Sequence, residues 1–228
     1  MAARIHLQMA GWRPSLPEDR RLKEAIGRIA PTYTMVDLTR LRQLARLATR
    51  VHEAGIQGSI VECGTWRGGG LALIDWVLRQ HGENRTLWGL DSFQGLPRPD
   101  DRDGSHVQSS YFDGWCSASQ DDVKRAIETL GGDVSRVRLV PGWLAETLPR
   151  AQTGTIALLN IDVDWYSSVK TTLDLLFDRV APGGIVNVDD YGRWPGCDEA
   201  VHDFMREQGL PAHSLHRTGR VGAWLQKR

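Results

Sequence analysis

Short apolar segments alternate with amphipathic ones along most of this 228-residue chain, and this alternation constrains its fold more than any other feature. An apolar run at 59–63 enters a glycine-rich turn, and a second apolar stretch follows at 71–78. This order is typical of a strand, a tight turn and a helix. The unit then repeats, and parallel strands are predicted at 59–63, 87–90, 137–140, 156–161 and 185–188.

The segments between and after these strands complete an α/β pattern. Leucine and valine recur every three to four residues over 38–54, which predicts an amphipathic helix. Further helices are predicted around 123–130, at 167–180 and at 199–207, and closing antiparallel strands near Ser214 and at 221–225. The chain is therefore expected to form a Rossmann-like, mainly parallel sheet of seven strands with helices on both faces.

The length favours a single domain over residues 1–228, because one hydrophobic core can serve a chain of this size. Residues 1–55 are expected to form an N-terminal helical flank. The longest region without hydrophobic periodicity, 94–119, is rich in Asp, Gly, Ser and aromatic residues. Loops of this length in compact domains are usually lids or binding loops, or else disordered, and we expect 94–119 to form a lid over an active site.

The charge balance excludes several classes of partner. Lys and Arg together number 28, as do Asp and Glu, so no strong net charge attracts nucleic acid or an anionic membrane. We therefore expect a small-molecule substrate. Three scattered cysteines make no disulfide framework, and no apolar stretch reaches the roughly 20 residues that span a bilayer. With no recognisable secretory signal, a cytoplasmic location is the expectation.

An acidic residue and several glycines lie at the first strand-to-helix turn. Glu62 belongs to the strand, and Gly64 and Gly68 belong to the turn. Ligands of open parallel sheets bind beyond the carboxyl ends of the strands, where glycines let the backbone come close. A carboxylate here suits a cationic ligand, such as S-adenosylmethionine with its ammonium and sulfonium groups. Asp91 ends the second strand, where an acidic residue accepts hydrogen bonds from ribose hydroxyls.

Two alternatives for this turn stay open. Any tight turn between a strand and a helix prefers glycine, so the glycines alone give weak support for a ligand. The second alternative is a nicotinamide dinucleotide. Its enzymes prefer glycine where this chain has Trp66, whose side chain would obstruct a pyrophosphate.

Four aspartates follow the fourth and fifth predicted strands. Asp162 and Asp164 come after the first of these strands, and Asp189 and Asp190 come after the second. Neighbouring parallel strands end at the same edge of a sheet, so four carboxylates would meet there. Like charges so close repel one another, and a hard divalent cation such as Mg²⁺ relieves the repulsion. The alternative is that Asp164 and Asp190 only cap the helix and the turn that follow them.

This arrangement predicts methyl transfer to a hydroxyl group. Coordination to a divalent ion makes a hydroxyl more acidic, and a neighbouring carboxylate can accept its proton. The oxyanion then attacks the sulfonium methyl group in line. Asp164 is the candidate base, because it lies two residues from Asp162 on the same side of an extended segment and is not required as a ligand.

Several motifs occur in the order that is found in a known family. They are Val61-Glu62-Cys63-Gly64, Gly68-Gly69, Asp91-Ser92-Phe93-Gln94-Gly95-Leu96-Pro97, Gly142-Trp143, Glu146-Thr147-Leu148-Pro149, Asp162-Val163-Asp164-Trp165-Tyr166, Pro182-Gly183-Gly184 and Asp189-Asp190-Tyr191-Gly192. Together they resemble the macrocin O-methyltransferase family from about Tyr33 to Phe204. The chain departs from that family at Val163 and Trp165, where glycine and leucine are usual, and in its short N-terminal flank. These departures bear on the acceptor rather than on the reaction.

The resemblance implies a class I methyltransferase fold, S-adenosylmethionine as donor, Mg²⁺ as metal and a sugar hydroxyl of a natural product as acceptor. It implies that Asp162, Asp189 and Asp190 bind the metal and that Asp164 is the base. The implied cofactor shell is Tyr33, Met35, Glu62, Gly64, Thr65, Asp91, Ser92, Phe93, Trp143 and Asp162. A homo-oligomer is also implied, since the N-terminal flank of the family helps to pair subunits.

Two other functions stay open at this point. A catechol or other phenol O-methyltransferase would use a similar metal and an aromatic-walled pocket, for which Trp165 and Trp194 are candidates. A protein that binds S-adenosylmethionine without catalysing a reaction is the alternative from a different class. The intact aspartates argue against this second alternative.

Overall fold

Seven strands form one sheet in the computed structural model, which describes residues 20–228. The strands are β1 (Ser59–Cys63), β2 (Leu87–Asp91), β3 (Val137–Pro141), β4 (Ile156–Ile161), β5 (Val180–Val188), β6 (His216–Arg217) and β7 (Ala223–Gln226). Their order across the sheet is β3-β2-β1-β4-β5-β7-β6. The first five strands pair in parallel, whereas β7 is antiparallel to both β5 and β6. The mainly parallel seven-stranded sheet predicted from the sequence is confirmed.

Helices cover both faces of this sheet. They are α1 (Arg20–Ile29), α2 (Leu38–Glu53), α3 (Gly69–Gln80), α4 (Ser105–Ser110), α5 (Gln120–Thr129), α6 (Leu144–Thr147), α7 (Tyr166–Leu176) and α8 (Pro195–Glu207). Helices α1, α2, α3 and α5 bury apolar side chains in one core cluster, and α7 and α8 contribute to a second. Ile60 of β1 packs in the first cluster and Val61 in the second, because alternate side chains of a strand point to opposite faces.

The largest difference from the predicted elements lies between α7 and β5. The helix predicted at 167–180 ends at Leu176, and a 3-10 turn follows it. Strand β5 then begins at Val180, before the start predicted at residue 185. It includes Pro182, which the sequence pattern predicts to end the preceding helix. A shift in the pairing register after Ile156 of β4 accommodates these residues, so the proline lies in a strand where the ladder is irregular.

The predicted loop at 94–119 contains regular structure. A 3-10 turn spans Asp101–Asp103, and the short helix α4 follows it. Asp103 is fully buried, and its Oδ1 accepts a hydrogen bond from the backbone N–H of Tyr166 over 2.8 Å. This segment is therefore attached to the first turn of α7.

The N-terminal flank predicted at 1–55 is described from Arg20 onward, where α1 and α2 occupy it. Residues 1–19 lie outside the described part of the chain. Within residues 20–228, no helix combines the length and the apolar character needed to cross a membrane.

Candidate active site

The carboxyl ends of β1, β4 and β5 lie side by side at one edge of the sheet. Cys63 pairs with Ile161, and Ile161 pairs with Val188, so the last residues of the three strands are level. The backbone N–H of Asp162 donates to the Cys63 carbonyl over 2.9 Å, and that of Asp189 donates to the Ile161 carbonyl over 2.8 Å. The turn after β1 therefore meets the aspartates that follow β4 and β5, as the parallel pairing predicts.

The close approach of these strand ends explains the glycine that follows β1. Gly64 has a φ of 81°, and a β-carbon at this position would lie 1.8 Å from the carbonyl oxygen of Asp162. Both the left-handed backbone and this contact exclude a side chain. Gly64 is therefore required by the packing of two strand ends, whichever ligand binds beside it.

A chain of buried amides holds Glu62 at the end of β1. Asn187 Nδ2 donates to Asn160 Oδ1 over 2.7 Å, and Asn160 Nδ2 donates to Glu62 Oε1 over 2.8 Å. Glu62 Oε2 accepts a hydrogen bond from the backbone N–H of Leu71 in α3 over 3.0 Å. Burial raises the pKa of Glu62 to about 8, although these hydrogen bonds act in the opposite direction. Each carboxylate oxygen can accept a second hydrogen bond, so Glu62 can still bind a cationic group.

Asp91 connects two turns at the end of β2. Its Oδ2 accepts a hydrogen bond from the backbone N–H of Trp66 over 2.8 Å, and its Oδ1 accepts one from Phe93 over 2.7 Å. Trp66 and Phe93 have positive φ angles of 43° and 57°, which are uncommon for residues with large side chains. The Asp91 carboxylate therefore stabilises both turns, and Asp91 also lines a cavity.

This cavity brings together most of the predicted cofactor residues. Those that line it are Tyr33, Met35, Glu62, Gly64, Thr65, Asp91, Ser92, Trp143 and Asp162. Phe93 is the exception, because its ring packs against the core cluster of α1, α2, α3 and α5. The wall that contains Tyr33 is held to the glycine-rich turn by a hydrogen bond of 2.9 Å from Gly69 N to the Tyr33 carbonyl.

Three aspartates, Asp162, Asp189 and Asp190, form an acidic cluster where β4 and β5 end. One carboxylate oxygen of each lies within 4.8 Å of the others. Burial and the neighbouring carboxylates raise the pKa values of Asp162 and Asp189, the latter to about 7. Asp190 Oδ2 is buried and has no hydrogen-bond partner among the described residues. Oxygen ligands at this spacing, with one buried oxygen unpaired, fit a hard divalent cation.

Asp164 lies beside the acidic cluster, against two tryptophans. Trp194 Nε1 donates to Asp164 Oδ1 over 2.6 Å, and its ring packs edge-on against Trp165 with centroids 5.4 Å apart. Trp165 is fully buried, and its own Nε1 donates to the Pro97 carbonyl over 2.9 Å. Asp164 has a φ of 57°. Burial and the Asp190 carboxylate raise the pKa of Asp164, which suits a group that accepts a proton.

Sequence reasoning missed Arg40, and it proposed Trp194 only as an aromatic wall of a pocket, not as a partner of Asp164. Arg40 of α2 donates to the Asp189 carboxylate, and Trp194 donates to Asp164. Arg40 precedes Leu44 by four residues, which places it on the apolar face of α2 and could have marked it as buried. For Trp194, 30 residues from its partner, no local pattern indicates the contact.

Comparison with known proteins decides the family. The sequence profile of the macrocin-O-methyltransferase family (TylF) matches residues 4–227. The chain belongs to the macrocin-O-methyltransferase family. It is therefore an O-methyltransferase, and S-adenosylmethionine is the donor that its class I fold implies.

Individual relatives of this methyltransferase agree with the family. It is 36% identical over 205 residues to the 8-demethyl-8-(2,3-dimethoxy-alpha-L-rhamnosyl)-tetracenomycin-C 4'-O-methyltransferase of Streptomyces olivaceus, over 85% of this chain and 77% of that protein. It is 34% identical over 206 residues to the demethyldecarbamoylnovobiocin O-methyltransferase of Streptomyces niveus, over 87% and 77%. The solved structure of the O-methyltransferase NovP superimposes with a TM-score of 0.78 at 33% identity, over 87% of this chain and 83% of NovP.

Proposed function

We propose that this methyltransferase transfers a methyl group from S-adenosylmethionine to a hydroxyl on the sugar part of a glycosylated natural product, with Mg²⁺ as its metal. The observation that carries the proposal is that the acidic cluster and Asp164 line the same cavity as the predicted donor residues. Donor, metal and base would then share one space, as an in-line transfer between bound molecules requires.

The acidic cluster would hold the metal. Mg²⁺ prefers octahedral oxygen ligands and keeps several waters, so Asp162, Asp189 and Asp190 would leave positions for water and for the acceptor. When bound there, the ion lowers the pKa of an acceptor hydroxyl. The unpaired Oδ2 of Asp190 supports this assignment, because a buried carboxylate oxygen without a partner is costly.

The donor would occupy the part of the cavity next to the glycine-rich turn. Glu62 would accept hydrogen bonds from the ammonium group, and Asp91 would accept them from the ribose hydroxyls. Gly64 would let the backbone come close to the donor, and Tyr33 and Met35 line the same cavity. An ammonium group beside Glu62 would favour its ionised form, against the effect of burial.

Asp164 would act as the base. The hydroxyl proton of the acceptor passes to its carboxylate, the hydroxyl oxygen bonds to the methyl carbon, and the bond from carbon to sulfur breaks. S-adenosylhomocysteine and the methyl ether are the products. Trp194 holds Oδ1 of Asp164, which leaves Oδ2 for the proton.

The residues at 94–119 would cover the acceptor. Gly95, Leu96, Pro97 and Trp115 of this segment line the cavity. Trp115 and Trp194 offer flat apolar walls, against which the C–H faces of a sugar can pack. The name of the relative from Streptomyces olivaceus describes methylation of a rhamnosyl-bearing substrate, which supports an acceptor of this kind.

Methylation assays with defined acceptors test this proposal. The purified protein is incubated with S-adenosylmethionine and either demethyldecarbamoylnovobiocin, a rhamnosyl glycoside or catechol, and the products are measured by mass spectrometry. We expect methylation of a glycoside, its loss in EDTA and its recovery with Mg²⁺. Methylation of catechol alone would instead identify a phenol methyltransferase. Activity that is unchanged in EDTA would refute the metal.

Variants of two aspartates test the assigned roles. Asp164→Asn and Asp189→Ala should abolish turnover while the protein still folds and binds S-adenosylhomocysteine. Asp174→Asn, at an exposed aspartate of α7, is the matched control and should retain activity. Unfolding of Asp164→Asn would show that this aspartate is structural and that the mechanism is wrong. Asp189→Ala also removes a partner of the buried Arg40, so Asp189→Asn replaces it if it unfolds. If the variants of both aspartates retain activity, neither residue takes part in the reaction.

The predicted homo-oligomer and the cytoplasmic location stay predictions. Sedimentation velocity of the purified protein tests the first, because a monomer and a dimer of a 25.5 kDa chain separate clearly. Fractionation of the producing cells tests the second.

A further inference from the structure

A buried arginine lies against the acidic cluster. Arg40 is in the first turn of α2, and 7% of its surface is exposed. Its Nε donates to Asp37 Oδ2 over 2.8 Å, and its Nη1 donates to Asp189 Oδ2 and lies 3.8 Å from Asp190 Oδ1. Burying a guanidinium is costly unless carboxylates pair with it. The cluster therefore allows Arg40 to be buried, and Arg40 gives the cluster a fixed positive charge.

We propose that Arg40 is a built-in counter-cation of the acidic cluster. It offsets the repulsion between the carboxylates when no metal is bound, and it lowers their affinity for the metal. This inference rests on the metal site in the proposed function. The three aspartates carry three negative charges when ionised. Arg40, which also pairs with Asp37, offsets part of this charge, and a divalent ion offsets two further charges.

The contacts of Arg40 also orient one ligand of the proposed site. Arg40 holds Oδ2 of Asp189, so Oδ1 is the oxygen left for the ion. The guanidinium is itself held by Asp37, which caps α2 by accepting hydrogen bonds from Thr39 N and Arg40 N. Arg40 is thus a positioning residue, because it acts on the metal site through the Asp189 carboxylate.

Arg40 differs in this respect from the other cation near the cluster. Arg193 lines the cavity, but its side chain is exposed and stacks on the ring of Trp194 at 5.0 Å from the centroid. Solvent and salt screen an exposed charge much more strongly than a buried one. Arg40 should therefore dominate the interaction between protein cations and the metal.

Stability measurements without metal test the first half of the proposal. In EDTA, Arg40→Met should melt several degrees below wild type, whereas Arg40→Lys should recover part of the loss. Arg46→Met, at an exposed arginine of the same helix, should melt like wild type. In an Asp189→Asn background, Arg40→Met should lower the melting temperature less than it does in wild type, because the ion pair between Arg40 and Asp189 is already broken. An equal fall in melting temperature in both backgrounds would overturn the counter-cation role. Arg40→Gln replaces Arg40→Met if the latter does not fold.

Metal affinity tests the second half and separates it from the proposed function. Titration calorimetry with Mg²⁺ should show binding about tenfold tighter for Arg40→Met than for wild type, because a unit charge close to the dication is removed. Equal or weaker binding in the variant would overturn the role of Arg40 and leave the metal site intact. No Mg²⁺ binding by either protein would refute the metal site, and with it both the proposed function and this inference.

Discussion

Replacing Trp194 by phenylalanine isolates the hydrogen bond to the proposed base. The 2.6 Å bond from Trp194 Nε1 to Asp164 Oδ1 is lost, while an aromatic ring can still pack edge-on against Trp165. A hydrogen bond to a charged group contributes about 1.5–3 kcal/mol. If the bond positions Asp164 for proton transfer, this energy is lost from the transition state. Since about 1.4 kcal/mol corresponds to a factor of ten, kcat should fall about 10- to 150-fold.

Steady-state kinetics at saturating donor and Mg²⁺ measure this effect. The fall should appear in kcat, with a smaller change in the KM of the acceptor. In an Asp164→Asn background, Trp194→Phe should have no further effect on turnover. Trp165→Phe is the comparison variant, because it loses the 2.9 Å bond to the Pro97 carbonyl and keeps Trp194. It should lower stability by about 1 kcal/mol and affect kcat less than Trp194→Phe does.

Two results would refute this reasoning. A wild-type kcat in Trp194→Phe would show that the hydrogen bond does not position the base. A loss confined to the KM of the acceptor would show that Trp194 only forms a wall of the binding site.

Gly64→Ala combines a positive φ with a contact to the Asp162 carbonyl, so urea denaturation should show a loss of about 2–5 kcal/mol. Gly82 has a φ of 76° and open space around it, so Gly82→Ala should lower the free energy of unfolding by only about 1 kcal/mol. Equal losses in the two variants would contradict the predicted clash at Gly64. Burial raises the pKa of Glu62 to about 8 and, together with Asp190, that of Asp189 to about 7. The folded protein then holds protons that the unfolded chain has released, so the melting temperature in EDTA should fall as the pH rises from about 4 to about 8. Saturating Mg²⁺ should remove the part of the fall below about pH 7 that comes from Asp189, because the bound ion keeps that carboxylate ionised. A melting temperature that rises over this interval in EDTA would show that the carboxylates are not protonated in the fold.

The functional residues that follow each strand could be predicted, because their positions depend on local sequence patterns. The apolar runs before Gly64, Asp162 and Asp189 are short and buried, as parallel strands are. The rule that parallel strands end at one edge then places these residues together without any knowledge of the tertiary structure. Asn160 is the one polar residue in β4, and its role in holding Glu62 is visible only in the sheet register.

The sequence by itself determined the alternation of elements, the parallel sheet and the acidic residues at its edge, because periodicity and turn chemistry operate over a few residues. Tertiary structure decided which side chains complete the site. Arg40 reaches Asp189 across 149 residues of chain, and Trp194 reaches Asp164 across 30, through packing of helices and loops that no local pattern records. It also showed that Phe93 packs, partly buried, against the core cluster of α1, α2, α3 and α5 and does not line the cavity. Contacts of this kind depend on how whole elements pack, and burial then makes each unpaired charge costly enough to require a partner.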